Sequence, residues 1–149
     1  MKKLLFIVNV DWFFISHRLP IAISAKKQGY EVHIVTEVTK HLNLLERNGL
    51  IVHNLKISRN KSGFNLLTEL AGIFFKVIKI KPDIVHLVTI KPLLLGGLVT
   101  RLLKVPAVVS AISGLGFVYS SDRFSSKLRR KLISYIYHIA LSHNNQKII

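Results

Sequence analysis

Short, mostly β-branched apolar runs recur along the chain at 4–10, 31–36, 51–55, 83–88, 107–112 and again from 147. Between them lie longer stretches whose apolar residues repeat at helical spacing. The first helical stretch opens at Arg18-Leu19-Pro20, where proline suits the first turn, and stops at Gly29, which suits a C-terminal cap. The second, 39–48, is stopped by Gly49 in the same way. In 65–79, Leu66, Leu70, Ile73, Phe74, Val77 and Ile78 form one stripe, and Pro82 ends the segment. Residues 92–103 are almost wholly apolar apart from Arg101, as a helix packed on a sheet should be, and 125–142 reads as a further long helix.

Strand and helix alternating in this way predict an α/β fold, a doubly wound parallel sheet with helices on both faces. The strands support it: Leu5-Phe6-Ile7-Val8 and Val108-Val109 are continuous apolar runs, as strands buried on both faces require. The repeated units and the right-handed crossover rule predict the strand order 3-2-1-4-5-6. Ligands of such sheets bind beyond the carboxyl ends of the strands, so the loops to read are 9–17, 56–63, 89–91 and 113–119. The final run starts a sixth strand without room to finish it, so the expectation is one domain over 1–149, the N-terminal part of a longer protein truncated in that strand.

Composition narrows the chemistry. With 22 Lys and Arg against 7 Asp and Glu, the 149 residues carry a formal charge of +15, which suits nucleic acid or an anionic membrane surface. No basic strip interleaved with aromatics or other nucleic-acid motif supports the first. Half of the residues are hydrophobic and none is cysteine, which excludes disulfide frameworks, cysteine zinc sites and thiol catalysis. The seven histidines show no helical pair near carboxylates, so no metal site is expected. The seven-residue apolar run after Met1-Lys2-Lys3 is too short and too strand-like for an export signal, and the uncharged stretch 105–121 is broken by Pro106, serines and glycines.

The loops carry neither a dinucleotide-binding glycine fingerprint nor a Walker loop, so oxidoreductase and P-loop readings fall. The first loop instead supplies aromatic residues, then Ser16, His17 and Arg18 ahead of Pro20. A helix N-terminus with a forked guanidinium suits phosphate or pyrophosphate; equally, Ser16 could serve only as the helix cap with Arg18 solvated. Lys56, Arg59 and Lys61 crowd the third loop; the lysines read as solvated and Arg59 as the functional candidate. Ser113-Gly114-Leu115-Gly116 follows the fifth strand, where glycines let a ligand or another backbone approach or merely serve the turn. His86, inside the fourth strand, reads as a satisfied core histidine, and Lys91 as a crevice residue. In 125–142 the apolar stripe reads as core, with Arg123, Lys127, Arg130 and Lys131 beside it on a solvated face or against anionic lipid.

Taken in order, Phe14-Ile15-Ser16-His17-Arg18-Leu19-Pro20-Ile21-Ala22, Gly29-Tyr30-Glu31-Val32, Ile57-Ser58-Arg59, Asp83-Ile84-Val85-His86 before Lys91, and Gly114-Leu115-Gly116 resemble the N-terminal domain of bacterial family 4 glycosyltransferases. The resemblance is to those acting on undecaprenyl-diphosphate-linked glycans in polysaccharide or glycan assembly. It implies the N-terminal half of a GT-B architecture, two Rossmann-like domains facing a cleft, this one on the acceptor side and the C-terminal donor domain absent. The implied activity is retaining transfer of a hexosyl or N-acetylhexosaminyl group from a nucleotide sugar, its co-substrate, to a lipid-linked saccharide, with no cofactor and no obligatory metal.

The same resemblance implies a peripheral place on the cytoplasmic face of the membrane and a fragment inactive by itself. The implied acceptor-binding set is Phe14, Ser16, His17, Arg18, Arg59, Lys91, Ser113, Gly114 and Gly116. Arg18 and Arg59 would hold the pyrophosphate, and Trp12 to Phe14 would meet the prenyl chain or a sugar. Relatives with a catalytic histidine after the fifth strand are not matched here, where Ser110-Ala111-Ile112-Ser113 stands, so no catalytic residue is assigned. The competing reading is a non-catalytic membrane-peripheral or partner-binding domain.

Overall fold

The structure, a computed structural model, describes residues 1–57, 63–112, 135 and 138–149, with the side chains of residues 63 and 64 left aside. Six parallel strands form one sheet in the order β3-β2-β1-β4-β5-β6, as the repeated units require. They are β1 (Lys3–Val10), β2 (Glu31–Glu37), β3 (Ile51–Asn54), β4 (Ile84–Val88), β5 (Ala107–Ala111) and β6 (Gln146–Ile148). The described helices are α1 (Asp11–His17), α2 (Leu19–Lys27), α3 (Leu42–Arg47), α4 (Gly63–Ile80) and α5 (Ile90–Leu102). The order in which strands are added reverses between β1 and β4, which pair in parallel from Leu4↔Ile84 to Ile7↔Leu87.

Strand pleating sends alternate residues of each strand to opposite faces, and both faces are covered. Leu5, Ile7, Val85, Leu87 and Val108 pack under α4 and α5 with Ile73, Val77, Leu95 and Val99. Leu4, Phe6, Val8, Val32 and Ile34 pack under α1, α2 and α3 with Phe14, Ala22 and Leu45. Each of these side chains except Ala22 contributes about 1.5–3 kcal/mol when fully buried, so the two layers pin the register of β1 from both sides. At Gly97 of α5 a Cβ would lie 2.5 Å from the Ala140 carbonyl oxygen, so only glycine admits that backbone so close.

Two expectations are corrected. Residues 11–17, read as part of a loop, form α1. Its entry residue Val10 offers no side-chain cap, and seven residues of mainly aromatic and β-branched type carry little helix signal. The second helical stretch was expected to begin at Thr39, but α3 begins at Leu42 because the backbone N–H groups of Thr39, Lys40 and His41 are drawn to the Asp11 carboxylate. Most of the helix expected over 125–142 lies outside the described residues.

Candidate functional site

The reversal of strand order places the carboxyl ends of β1 and β4 side by side, and the segments leaving them build the candidate site. The two ends are tied directly: the Thr89 hydroxyl bonds to Asn9 Oδ1 and to its own strand's Val88 carbonyl. Thr89 has φ +73°, in the left-handed region where a β-branched residue is strained, and it is the N-cap of α5. Backbone strain of this kind costs about 1–3 kcal/mol and gathers at ligand sites, where surrounding contacts hold it in place.

Asp11, the residue at which β1 passes into α1, is fully buried. Its Oδ1 accepts the Thr39 hydroxyl at 2.6 Å and the Trp12 N–H at 2.8 Å. Its Oδ2 accepts the N–H groups of Thr39, Lys40 and His41 at 2.8, 3.2 and 3.1 Å. Burial alone would push this carboxyl up, but the Thr39 hydroxyl and the three loop N–H groups outweigh it and hold the group at about 2. One carboxylate thus clamps the loop after β2 against the start of α1. The strand and helix pattern does not single out Asp11. An acid directly after a buried strand, in a chain with only seven, is the signal that marks it.

Helix α1 then sorts its aromatic residues by direction. Phe14 is fully buried, edge-on to Phe6 with ring centroids 5.2 Å apart, so it supports the site and does not line it. Successive helical residues point about 100° apart, so Trp12, Phe13 and Phe14 cannot share one surface, as a loop reading allowed. Trp12 is exposed and meets Phe13 edge-on, and Phe13 stacks on His17 at 4.2 Å. Ser16 and His17 are exposed, with Ser16 Oγ 2.6 Å from His17 Nδ1 and donating to the Phe13 carbonyl at 3.1 Å. Ser16 is therefore no cap for α2, whose N-cap is Arg18 and whose first turn carries Pro20.

Arg18 donates from Nη1 to the His17 carbonyl at 3.1 Å, while its Nε is buried with no hydrogen-bond partner. His86 stacks on Phe6 at 5.0 Å in mid-strand, and its Nε2 too is buried and unpartnered. The expectation of a satisfied core histidine is thus half right, since the ring is in the core and its nitrogen is not satisfied. Burial, helped by the charge of Arg18, pushes this imidazole down to about 4, so it is neutral near pH 7. An orphaned buried donor or acceptor costs about 1–3 kcal/mol, which marks a place where a ligand or water completes the bonding.

Lys91 lies in the first turn of α5, near the crevice as expected, but its ammonium is engaged. Nζ stands 2.9 and 2.6 Å from the two carboxylate oxygens of the buried Glu69 on α4. That pairing reduces the charge it can offer a ligand. Arg59, Ser113, Gly114 and Gly116 lie outside the described residues.

On the face of the sheet covered by α4 and α5, Leu67, Ala71, Phe75 and Ile78 form an exposed apolar stripe along α4, with Lys76 and Lys79 on the same helix and Lys81 and Lys104 beside its Ile78 end. Among the described residues no helix is long and apolar enough to cross a membrane.

Comparison with known proteins agrees with this architecture. Over 151 aligned positions the chain is 24% identical to a Rickettsia felis UDP-N-acetylglucosamine--N-acetylmuramyl-(pentapeptide) pyrophosphoryl-undecaprenol N-acetylglucosamine transferase, with 99% of this chain and 39% of that protein covered. The chain thus spans well under half the length of that curated relative. Among solved structures it superposes on Acinetobacter baumannii MurG with a TM-score of 0.61 and 18% identity, over 75% of this chain and 35% of that one. It superposes equally on the Methanocaldococcus jannaschii UDP-GlcNAc 2-epimerase, with a TM-score of 0.63 and 23% identity over 100% of this chain and 45% of that one. Transferases and epimerases share the fold, so the fold alone does not separate them. The Glycosyl transferase 4-like family model matches residues 3–149, and the chain belongs to that family.

Proposed function

We propose that this chain is the acceptor-side domain of a glycosyltransferase that moves a hexosyl or N-acetylhexosaminyl group, with retention, from a nucleotide sugar to a diphosphate-linked lipid saccharide. The observation that carries the reading is Arg18, a guanidinium with an unfilled buried donor at the start of α2, where β1 and β4 deliver the crevice. Family membership supports transfer as the chemistry, and the Rickettsia felis relative, named for a pyrophosphoryl-undecaprenol substrate, supports the acceptor class.

On this reading the Arg18 guanidinium and the positive end of α2 hold the acceptor diphosphate, Trp12 and Phe13 offer an aromatic surface to a sugar or the first prenyl units, and Asp11 keeps these groups in position. The nucleotide sugar is placed mainly by a second domain, and positive groups and helix ends aimed at the departing diphosphate stabilise its developing charge. Arg59 and the segment from Ser113 to Gly116 belong to the same proposed acceptor site.

The test is calorimetric titration of farnesyl diphosphate, a short prenyl diphosphate, into the chain and its Arg18→Ala variant. A charge-assisted bond contributes about 1.5–3 kcal/mol, so the variant should bind roughly 10- to 100-fold more weakly. Equal affinities would remove Arg18 from the site.

A peripheral place on the cytoplasmic membrane face fits the same reading. The α4 stripe brings buried-type side chains to the surface beside lysines that each gain about 1 kcal/mol near anionic lipid. Vesicles containing phosphatidylglycerol should sediment the chain and release it in high salt, and Phe75→Glu should weaken binding about tenfold or more. Sedimentation indifferent to lipid charge and salt would dismiss the membrane surface as a partner.

A further inference from the structure

We propose that His86 is an acceptor-binding residue, forming with Arg18 a two-donor recess for one phosphate oxygen of the bound diphosphate. The proposal rests on the acceptor reading above and extends it to a side chain that the sequence places in the core and gives no binding role.

Three features of the structure support it. First, His86 is only 6% exposed, yet its Nε2 has no hydrogen-bond partner, and the same is true of Arg18 Nε. Buried polar atoms are nearly always paired, so two unpartnered ones in one neighbourhood point to a ligand atom that both can meet. Second, the neighbourhood is shared: His86 stacks on Phe6, Phe6 meets Phe14 edge-on, and the Arg18 backbone N–H donates to the Phe14 carbonyl at 2.7 Å, so both groups border the same pair of rings. Third, His86 stands on one of the two strands at which the strand order reverses, level with Phe6 of β1 and with only Leu87 and Val88 between it and the crevice end of β4.

The charges decide which ligand fits. Arg18 Nε–H can only donate, and Arg18 is the charged group that acts on the imidazole. A cation is therefore repelled, whereas an anionic oxygen with two lone pairs accepts from both groups. His86 takes part as the neutral Nε2–H tautomer and no proton changes hands. A neutral donor also suits a diphosphate that must later be released, because it adds direction without a second full charge. Phe6 fixes the ring plane by stacking, so the Nε2–H vector is set before the ligand arrives.

The experiment titrates inorganic pyrophosphate and farnesyl diphosphate into the chain while imidazole ¹⁵N and ¹H shifts are followed, with His86→Phe, His86→Gln and Arg18→Ala compared by calorimetry. His86→Phe keeps the stacked ring and loses the donor; His86→Gln returns an N–H. We expect both diphosphates to move the His86 Nε2 resonance, His86→Phe to lose about tenfold in affinity, and His86→Gln to recover part of it. Farnesyl diphosphate binding that depends on Arg18 but leaves the His86 resonance and the His86→Phe affinity unchanged overturns this proposal and leaves the acceptor reading intact. Pyrophosphate moving His86 while the prenyl diphosphate fails to bind supports the recess and overturns the lipid acceptor. A shift of His86 produced by a phosphate-free N-acetylglucosaminide and not by pyrophosphate overturns the anion. Should His86→Phe fail to fold, the wild-type imidazole shifts decide by themselves.

Discussion

Asp11→Ala is expected to lower the melting temperature by roughly 10–15 °C, a loss of about 3–5 kcal/mol. The carboxylate accepts five hydrogen bonds, four of them from the Thr39–His41 loop. Truncation leaves the Thr39, Lys40 and His41 N–H groups without their acceptor, and an orphaned donor costs about 1–3 kcal/mol where water is excluded, less at the exposed Thr39 and Lys40 where water replaces the carboxylate. The expected structural signature is faster amide exchange at Thr39, Lys40 and His41 with the sheet unchanged. Asp11→Asn, which keeps the shape and one acceptor, should lose less. Because the folded carboxyl sits at about 2, below its ordinary value near 4, the stabilisation is present above pH 4 and fades as pH falls from there towards 2. Thermal melts of the three proteins at pH 7 would check this, and an Asp11→Ala melt within 3 °C of the parent would refute the clamp.

A separate loss of stability is expected between pH 6.5 and 4. Burial first, then the Arg18 charge, holds His86 at about 4. Burial first, then His33, Lys76 and Lys79, holds His53 at about 4 as well. Both take up protons more readily when unfolded, so their contribution is complete above pH 6.5 and is lost as pH falls through the window to 4. For the deeply buried His86 this amounts to about 3 kcal/mol; the half-exposed His53 contributes less.

His53 is not isolated. Its Nε2 lies 3.0 Å from His33 Nδ1, and His33 Nε2 lies 2.6 Å from the Glu31 carboxylate, which His33 and then Lys3 hold below its ordinary value. The Glu31 contribution therefore disappears only at lower pH, beneath the histidine window. Urea denaturation at pH 7.5 and 5 should show the loss as a lower midpoint at constant slope, and His86→Phe should flatten the pH dependence. Equal midpoints at the two pH values would sink the argument.

The strand order and the position of the crevice were legible in the chain because they follow from rules of short range. Continuous apolar runs such as Leu5-Phe6-Ile7-Val8 require burial on both faces, and Pro20, Gly29 and Gly49 punctuate the helices through their own backbone preferences. The connection rule then leaves one economical sheet, and its reversal between β1 and β4 names the ligand-binding edge. The place of Arg18 at the start of α2 was legible for the same reason, two positions before the proline of that helix's first turn.

What tertiary structure alone decided concerns partners distant in sequence. Asp11 is a clamp only because the chain returns with Thr39, Lys91 is held in an ion pair only because α4 brings Glu69 beside it, and Phe14 turns inward only because 11–17 is wound into a helix whose propensity is too weak to announce it. His86 shows the division most clearly. Its place in an apolar strand predicts burial, but whether a buried nitrogen is satisfied depends on every atom around it, and the arginine that comes to its side lies 68 positions earlier in the chain.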